Sequence, residues 1–236
     1  VEFAATNELT GAQRESLAAH ALALDEQARR LRFGAQLSDE AIRAYVDSID
    51  FDRDAVFVIF DAELRIAGAA HLVCSDDGAE LGISVLAGHR GRGIGQALLA
   101  RARLHARNRT IDVLFMHCLA ENETMRHLAR KQGMAVVVER GEATARVALE
   151  PGNLSTVARE FIANQVGLFD YALKAHVLSA RRLADALSGA TTMVVPGNTA
   201  LAAEPVGLSG DAPTASAPKV SAAVGPGRSN GEPEAP

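Results

Sequence analysis

The stretch GHRGRGIGQALLARARLHAR, residues 88–107, places four glycines and two arginines in its first eight positions and then enters an Ala/Leu-rich pattern. Its flanks decide what it is. AELGISVL at 79–86 reads as a strand, and the apolar spacing from Gly93 or Ile94 to about Asn108 reads as a helix. The first N–H groups of a helix have no internal partners and carry partial positive charge, so a strand, a glycine turn and a helix in this order form an anion site. Gly91, Gly93 and Gly95 permit close backbone approach, and Arg90 and Arg92 add cations. Two phosphate motifs fit poorly. A P-loop needs Lys and Ser or Thr where this chain has Gly95-Gln96-Ala97, and the dinucleotide fingerprint needs a parallel βαβ unit, whereas this turn follows three short strand-like runs.

Those runs are AVFVIFDA at 55–62, IAGAAHLVCS at 66–75 and the strand at 79–86, joined at hairpin spacing into a meander. Upstream, VEFAAT at 1–6 reads as a short strand. Leu17, Ala21, Leu24, Ala28 and Leu31 predict one helix from about Thr10 to Phe33, and Ser38 caps a second over LSDEAIRAYVDS. Downstream come a strand at 111–118, a helix from Glu121 to Lys131 stopped by Gly133, and strands at 134–139 and 142–149.

Pro151-Gly152 marks a boundary between a domain over 1–150 and an appended helical segment over 151–189. The helical pattern across 156–187 is one long helix or two broken near Gly167, and its apolar stripe needs a cover: the domain's own sheet or a second copy of the chain. From about 190 to 236 the Ala, Gly, Pro, Ser and Thr content reads as a low-complexity, disordered tail.

A net charge of −5 argues against a nucleic-acid binder. Cys74 and Cys118 stand alone, without a CxxC or a His pair at metal spacing, so no metal is expected and a reducing compartment fits. No apolar run reaches the roughly 20 residues needed to cross a bilayer. The expected location is cytoplasmic, with no membrane partner.

Two segments together carry a resemblance to a known family. Arg90-Gly91-Arg92-Gly93-Ile94-Gly95 matches the R-x-x-G-x-G signature of the GNAT superfamily of acyl-CoA N-acyltransferases, and 27 residues after Gly95 the segment ENETMRHLARKQGM resembles that family's N-x-x-M-x-x-L-A-x-K-x-G-[FM] run. With Arg32-Phe33 and Asp50-Phe51, the chain looks most like the acetyltransferase domain of bacterial protein-lysine acetyltransferases. The resemblance spans residues 1–150. It implies an α/β fold: a mixed, mostly antiparallel central sheet flanked by helices.

It further implies that acetyl-CoA is the co-substrate, its pyrophosphate held by Arg90, Gly91, Arg92, Gly93, Ile94, Gly95 and Gln96. The pantetheine arm would lie along the strand ending at Val85, and Asn122 would meet the cofactor, although Asn122 also reads as an N-cap. Acyl transfer to an amine needs a proton acceptor, because an alkyl ammonium is mostly protonated at neutral pH. Glu80 is the candidate, on one face with the small residues Gly82 and Ser84. A backbone N–H around Ile83 to Val85 would meet the oxyanion. The family's usual Tyr proton donor is replaced by Ala129, which leaves Tyr45, Tyr171 and His117 as candidates and the acid unassigned; His117 also reads as a satisfied core residue. Arg101 reads as helix surface. The expected activity is acetyl transfer to a primary amine on a small molecule or protein; the alternative is a non-catalytic acyl-CoA-binding module.

Overall fold

The computed structural model describes residues 5–75 and 77–191, within the first of two compact units, 1–193. Most of the strand expected over 1–6 and all of the tail from 192 onward lie outside the described residues. The elements run β1 (Asn7–Glu8), α1 (Arg14–Leu22), α2 (Glu26–Phe33), α3 (Asp39–Asp47), β2 (Ala55–Phe60), β3 (Ile66–Ser75), β4 (Gly78–Val85), α4 (Ile94–Asn108), β5 (Val113–Leu119), α5 (Glu123–Lys131), β6 (Ala135–Glu139), β7 (Glu142–Ala148) and α6 (Leu154–Thr191). The single helix expected over 10–33 is two. Asp25 ends the first by accepting the Ala28 N–H at 2.7 Å as the N-cap of α2, and Ser38 caps α3 as expected.

Among the described residues seven strands form one sheet in the order β1-β2-β3-β4-β5-β7-β6. All pairs are antiparallel except β4 with β5. β2 is buried along its whole length because both sheet faces are covered there. On one face Val56, Val58 and Ala69 pack with Leu17, Ala21, Ile42 and Val46 of α1 and α3. On the other, Phe57, Leu72, Leu81 and Ile83 pack with Leu98, Leu99 and Ala102 of α4 and Ala129 of α5.

α6 is one unbroken helix. At Gly167 a side chain would collide with the Thr6 carbonyl oxygen, so the glycine permits a close crossing and does not mark a break. The helix is fastened to the domain through polar anchors. Lys174 donates to the Phe60 carbonyl at 2.9 Å, and the Tyr171 and Phe60 rings meet edge-on at 5.0 Å.

The strongest anchor is Arg101, which corrects its reading as surface: its side chain is only 3% exposed. The guanidinium lies over the Phe57 ring at 4.4 Å, donates to Glu160 at 2.7 Å and Asn164 at 2.6 Å, and pairs with Glu8 at 3.3 Å. His105 and Asn108 also donate to Glu160, at 2.7 and 2.5 Å. Glu8, His105 and Glu160 bring potential metal-ligand atoms within 4.8 Å of one another, and the chain places its own cation, Arg101, against both carboxylates.

Candidate active site

The backbone of the glycine turn has the geometry of an anion site. After β4 the chain makes a tight turn over Ala87–His89, extends at Arg90 and turns left-handed at Gly91 (φ 75°) and Gly93 (φ 78°) before α4 begins. Gly93 is the N-cap and no side chain caps the helix, so its first N–H groups stay available to a ligand.

These groups open on a cleft of about 480 Å³. Of the ten residues expected to hold the reactants, Val85, Arg90, Gly91, Gly93, Ile94, Gly95, Gln96 and Asn122 line it. Arg92 and Glu80 do not belong to the lining, and both are exposed. The cleft exists because β4 and β5 separate. They pair only at Ala79 with Leu114 and Glu80 with Phe115, while β4 continues to Val85 and β5 to Leu119. Past Glu80, β4 keeps its β3 partner on one side and has no strand on the other. Such an unpaired strand edge offers free N–H and C=O groups to an extended, amide-bearing ligand.

Asn122 serves the structure first: its oxygen accepts the Met125 N–H at 3.1 Å, and its amide reaches the Leu31 carbonyl at 3.5 Å, tying α5 to α2. Arg90 donates to the Val85 carbonyl at 3.3 Å and pairs with Asp25 at 3.4 Å. Sequence reasoning missed Leu24, Ala28, His89, Thr124, His127 and Lys131, which also line the cleft. The four-residue spacing of His127 and Lys131 on α5 was the available signal for a shared face.

Glu80, Gly82 and Ser84 share the sheet face covered by α1 to α3, as the alternation predicts. His20 is buried against them. Its Nδ1 is 2.8 Å from the Ile66 carbonyl, to which it donates, so Nε2 accepts from the Ser84 hydroxyl at 2.8 Å. Burial lowers its pKa to about 4, with the Arg32 charge in the same sense and the Ile66 bond opposing, which keeps the ring neutral. Arg32 lies against Gly82, where any side chain would collide with the guanidinium. It donates to the Tyr45 hydroxyl at 2.9 Å; that hydroxyl is 2.7 Å from His71 Nδ1, and His71 Nε2 is 3.1 Å from Asp54.

The other acid candidates fall away from the cleft. Tyr171 packs on Phe60, and His117 is exposed and bonded to Thr144 at 3.2 Å, so it is not the core residue its strand suggested. Ala129 is 1% exposed and sits in the core, while its neighbour Leu128 lines the cleft. In this chain the position after Leu128 belongs to the core and not to the cleft.

Residues 38–134 match the model of the Acetyltransferase (GNAT) family. Solved structures agree in fold. The GNAT domain of S. lividans PAT superposes with a TM-score of 0.53 at 20% identity, covering 61% of this chain and 89% of that one. An N-acetyltransferase from Staphylococcus aureus Mu50 gives 0.50 at 17% identity, covering 61% and 98%. No curated protein matches the sequence. The uncapped glycine turn, the parted strands and the family match define one class: the chain carries a GNAT domain. Over residues 38–134 it is similar to the GNAT-family acetyltransferases. None of its described helices is long and apolar enough to cross a membrane.

Proposed function

We propose that the protein moves an acetyl group from acetyl-CoA to a primary amine by direct attack on the thioester. The observation that carries this reading is the continuity of the cleft, which joins the uncapped α4 N-terminus to the unpaired edge of β4. The pyrophosphate meets the N–H groups of Ile94, Gly95 and Gln96, with Arg90, Gly91 and Gly93 around them and Arg92 as an outer cation. The pantetheine arm follows β4 to Val85 beside Asn122, and a β4 N–H from Ile83 to Val85 meets the oxyanion. The free thiols of Cys74 and Cys118 suit the reducing cytoplasm in which we place the reaction.

Glu80, exposed at the outer end of the acceptor face, draws in the ammonium group and takes its first proton. Glu80→Gln is expected to lower turnover at neutral pH about a hundredfold with acetyl-CoA binding near that of the parent. Unchanged turnover removes Glu80 from the reaction. A thiol-release screen across protein lysines, amino acids, polyamines and aminoglycosides tests the transfer itself: acetyl-CoA binding with no amine-dependent release would favour a binding module.

We further propose that a second copy of the chain covers α6. Its inward side is polar and fastened, yet Leu168, Phe169 and Leu187 are 62%, 72% and 63% exposed. From residue 161 to 180 the charged side chains are Asp170 and Lys174, which pair with each other at 2.6 Å. The outer face can therefore meet its own copy without like-charge repulsion, and a large exposed apolar face marks an interaction surface. A chain ending at Glu150 is a poor probe, because it would strip Arg101 of Glu160. The double variant Leu168→Glu, Phe169→Glu is expected to sediment as a monomer from a dimeric parent, with acetyl-CoA binding intact; a monomeric parent overturns the proposal.

A further inference from the structure

Three buried or half-buried polar groups on the sheet face covered by α1 to α3, the side where the proposed reaction places the acceptor, form a chain with no part yet in acetyl transfer. His71 stands opposite Gly82 in the β3–β4 register and is 7% exposed. It lies between Asp54, which precedes β2, and Tyr45, which comes from α3. The Tyr45 ring is held edge-on by Phe33 at 5.2 Å and by His71 at 5.8 Å, so its hydroxyl is fixed in place.

The hydrogen bonds set the direction of proton flow. The Asp54 carboxylate accepts at His71 Nε2, which therefore carries the imidazole hydrogen and leaves Nδ1 with a lone pair. The Tyr45 hydroxyl donates its hydrogen to that lone pair and receives one from Arg32. One lone pair of the phenol oxygen remains, and Arg32, which donates to that oxygen, lies against Gly82 of β4. The phenol oxygen has the arrangement of a proton acceptor whose own proton already has a destination.

We propose that Tyr45, backed by His71 and Asp54, takes the second proton of the acceptor amine, the one carried by the nitrogen after it has attacked the thioester. This rests on the acetyl-transfer reading and deepens it. Attack converts the neutral amine to a positively charged nitrogen bonded to the tetrahedral carbon, and that nitrogen must lose a proton before the C–S bond, not the new C–N bond, breaks. The N–H proton passes to the Tyr45 oxygen as the phenol proton passes to His71 Nδ1, leaving an imidazolium against the Asp54 carboxylate. The C–S bond then breaks, the coenzyme A thiolate takes a proton from water, and His71 returns its proton to solvent through Tyr45. Arg32 positions the phenol and, as a cation, stabilises negative charge on its oxygen. Glu80 remains the acceptor of the first proton, at the outer end of the face.

His71 must be neutral for this step. Asp54, Tyr45, Arg32 and Glu80 are the ionisable groups around it, and burial lowers its pKa from 6.5 against the opposing hydrogen bond and charge of Asp54. Turnover should therefore fall as pH drops through a value below about 6.5.

The test measures kcat and KM from about pH 5 to pH 8 for the full chain with acetyl-CoA and the best amine of the thiol-release screen. Tyr45→Phe, which keeps the ring, is expected to lose about a hundredfold in kcat with little change in the KM for acetyl-CoA. His71→Gln is expected to be slow and to lose the acid limb, and Asp54→Asn to move that limb, shifts that a purely structural role would not produce. Nitrogen NMR of His71 in the parent is expected to show hydrogen on Nε2 and none on Nδ1; the opposite tautomer overturns the proposal even if a variant folds poorly. Variants with parental kcat and an intact acid limb overturn the relay while leaving acetyl transfer standing. Absence of amine-dependent thiol release in the parent overturns both.

Discussion

Gly95→Leu is expected to abolish acetyl-CoA binding, as read by calorimetry, without loss of thermal stability. In the free protein a Cβ at this position meets only the tip of Leu128, at 3.5 Å, so the fold tolerates a side chain. Leucine also has a higher helix propensity than glycine by close to 1 kcal/mol, which favours α4. The branched side chain would project from the first turn of α4 into the cleft, against the backbone N–H groups proposed to hold the pyrophosphate. Weakening by at least about a hundredfold, or roughly 2.7 kcal/mol, is expected. Tight binding by a folded variant would move the phosphate site away from this turn.

Arg101→Met should produce the largest loss of stability of any single change considered. Methionine replaces the aliphatic stem but leaves Glu160 and Glu8 facing each other without the cation that joins them. Removing one partner of a buried pair costs about 3–5 kcal/mol, and denaturant unfolding at neutral pH measures it. The pH dependence provides a second reading. Burial alone would raise the Glu160 pKa, but hydrogen bonds from His105, Asn108 and Arg101, together with the Arg101 charge, bring it down to about 2 from 4.5. A carboxylate with a depressed folded-state pKa contributes stability that is complete above 4.5 and lost as pH falls toward 2. The parent should therefore weaken across that window, and Arg101→Met should show a shallower acid slope there. His20, whose pKa falls from 6.5 to about 4, adds a separate loss that begins below 6.5 in both proteins. Equal acid slopes between 4.5 and 2 would show that Glu160 does not depend on Arg101.

What could be read from the chain itself was whatever is decided locally. The shape of the glycine turn is legible within eight residues, because left-handed backbone and an uncapped helix start need no distant partner. Asn122 was legible for the same reason, as a cap three residues before the N–H it accepts. The division between α1 and α2 was also local, in Asp25-Glu26, yet the continuous apolar spacing from Leu17 to Leu31 concealed it.

Arg101 was hidden for a different reason. It lies in a basic run, and only Glu160, 59 residues later, turns it from a surface charge into an internal one. Tyr45 stood out in sequence only as a candidate acid, and His71 and Asp54 not at all: the meander brings His71 opposite Gly82, and α3 then lowers Tyr45 onto it. The substitution of Ala129 for the family's usual tyrosine looked like a lost catalytic group, and only the packing of α5 shows that this position faces the core.

The parting of β4 from β5 after Glu80 leaves a slot within the sheet, one that no strand among the described residues fills. If acetyl-CoA lies in it, the co-substrate acts as a missing strand, and the native state is finished by a metabolite. Linkage then ties resistance to unfolding to supply: at one hundred times its dissociation constant such a ligand adds about 2.7 kcal/mol. Cells short of acetyl-CoA would hold a looser, more easily degraded protein, so its abundance as well as its turnover would follow their acetyl supply.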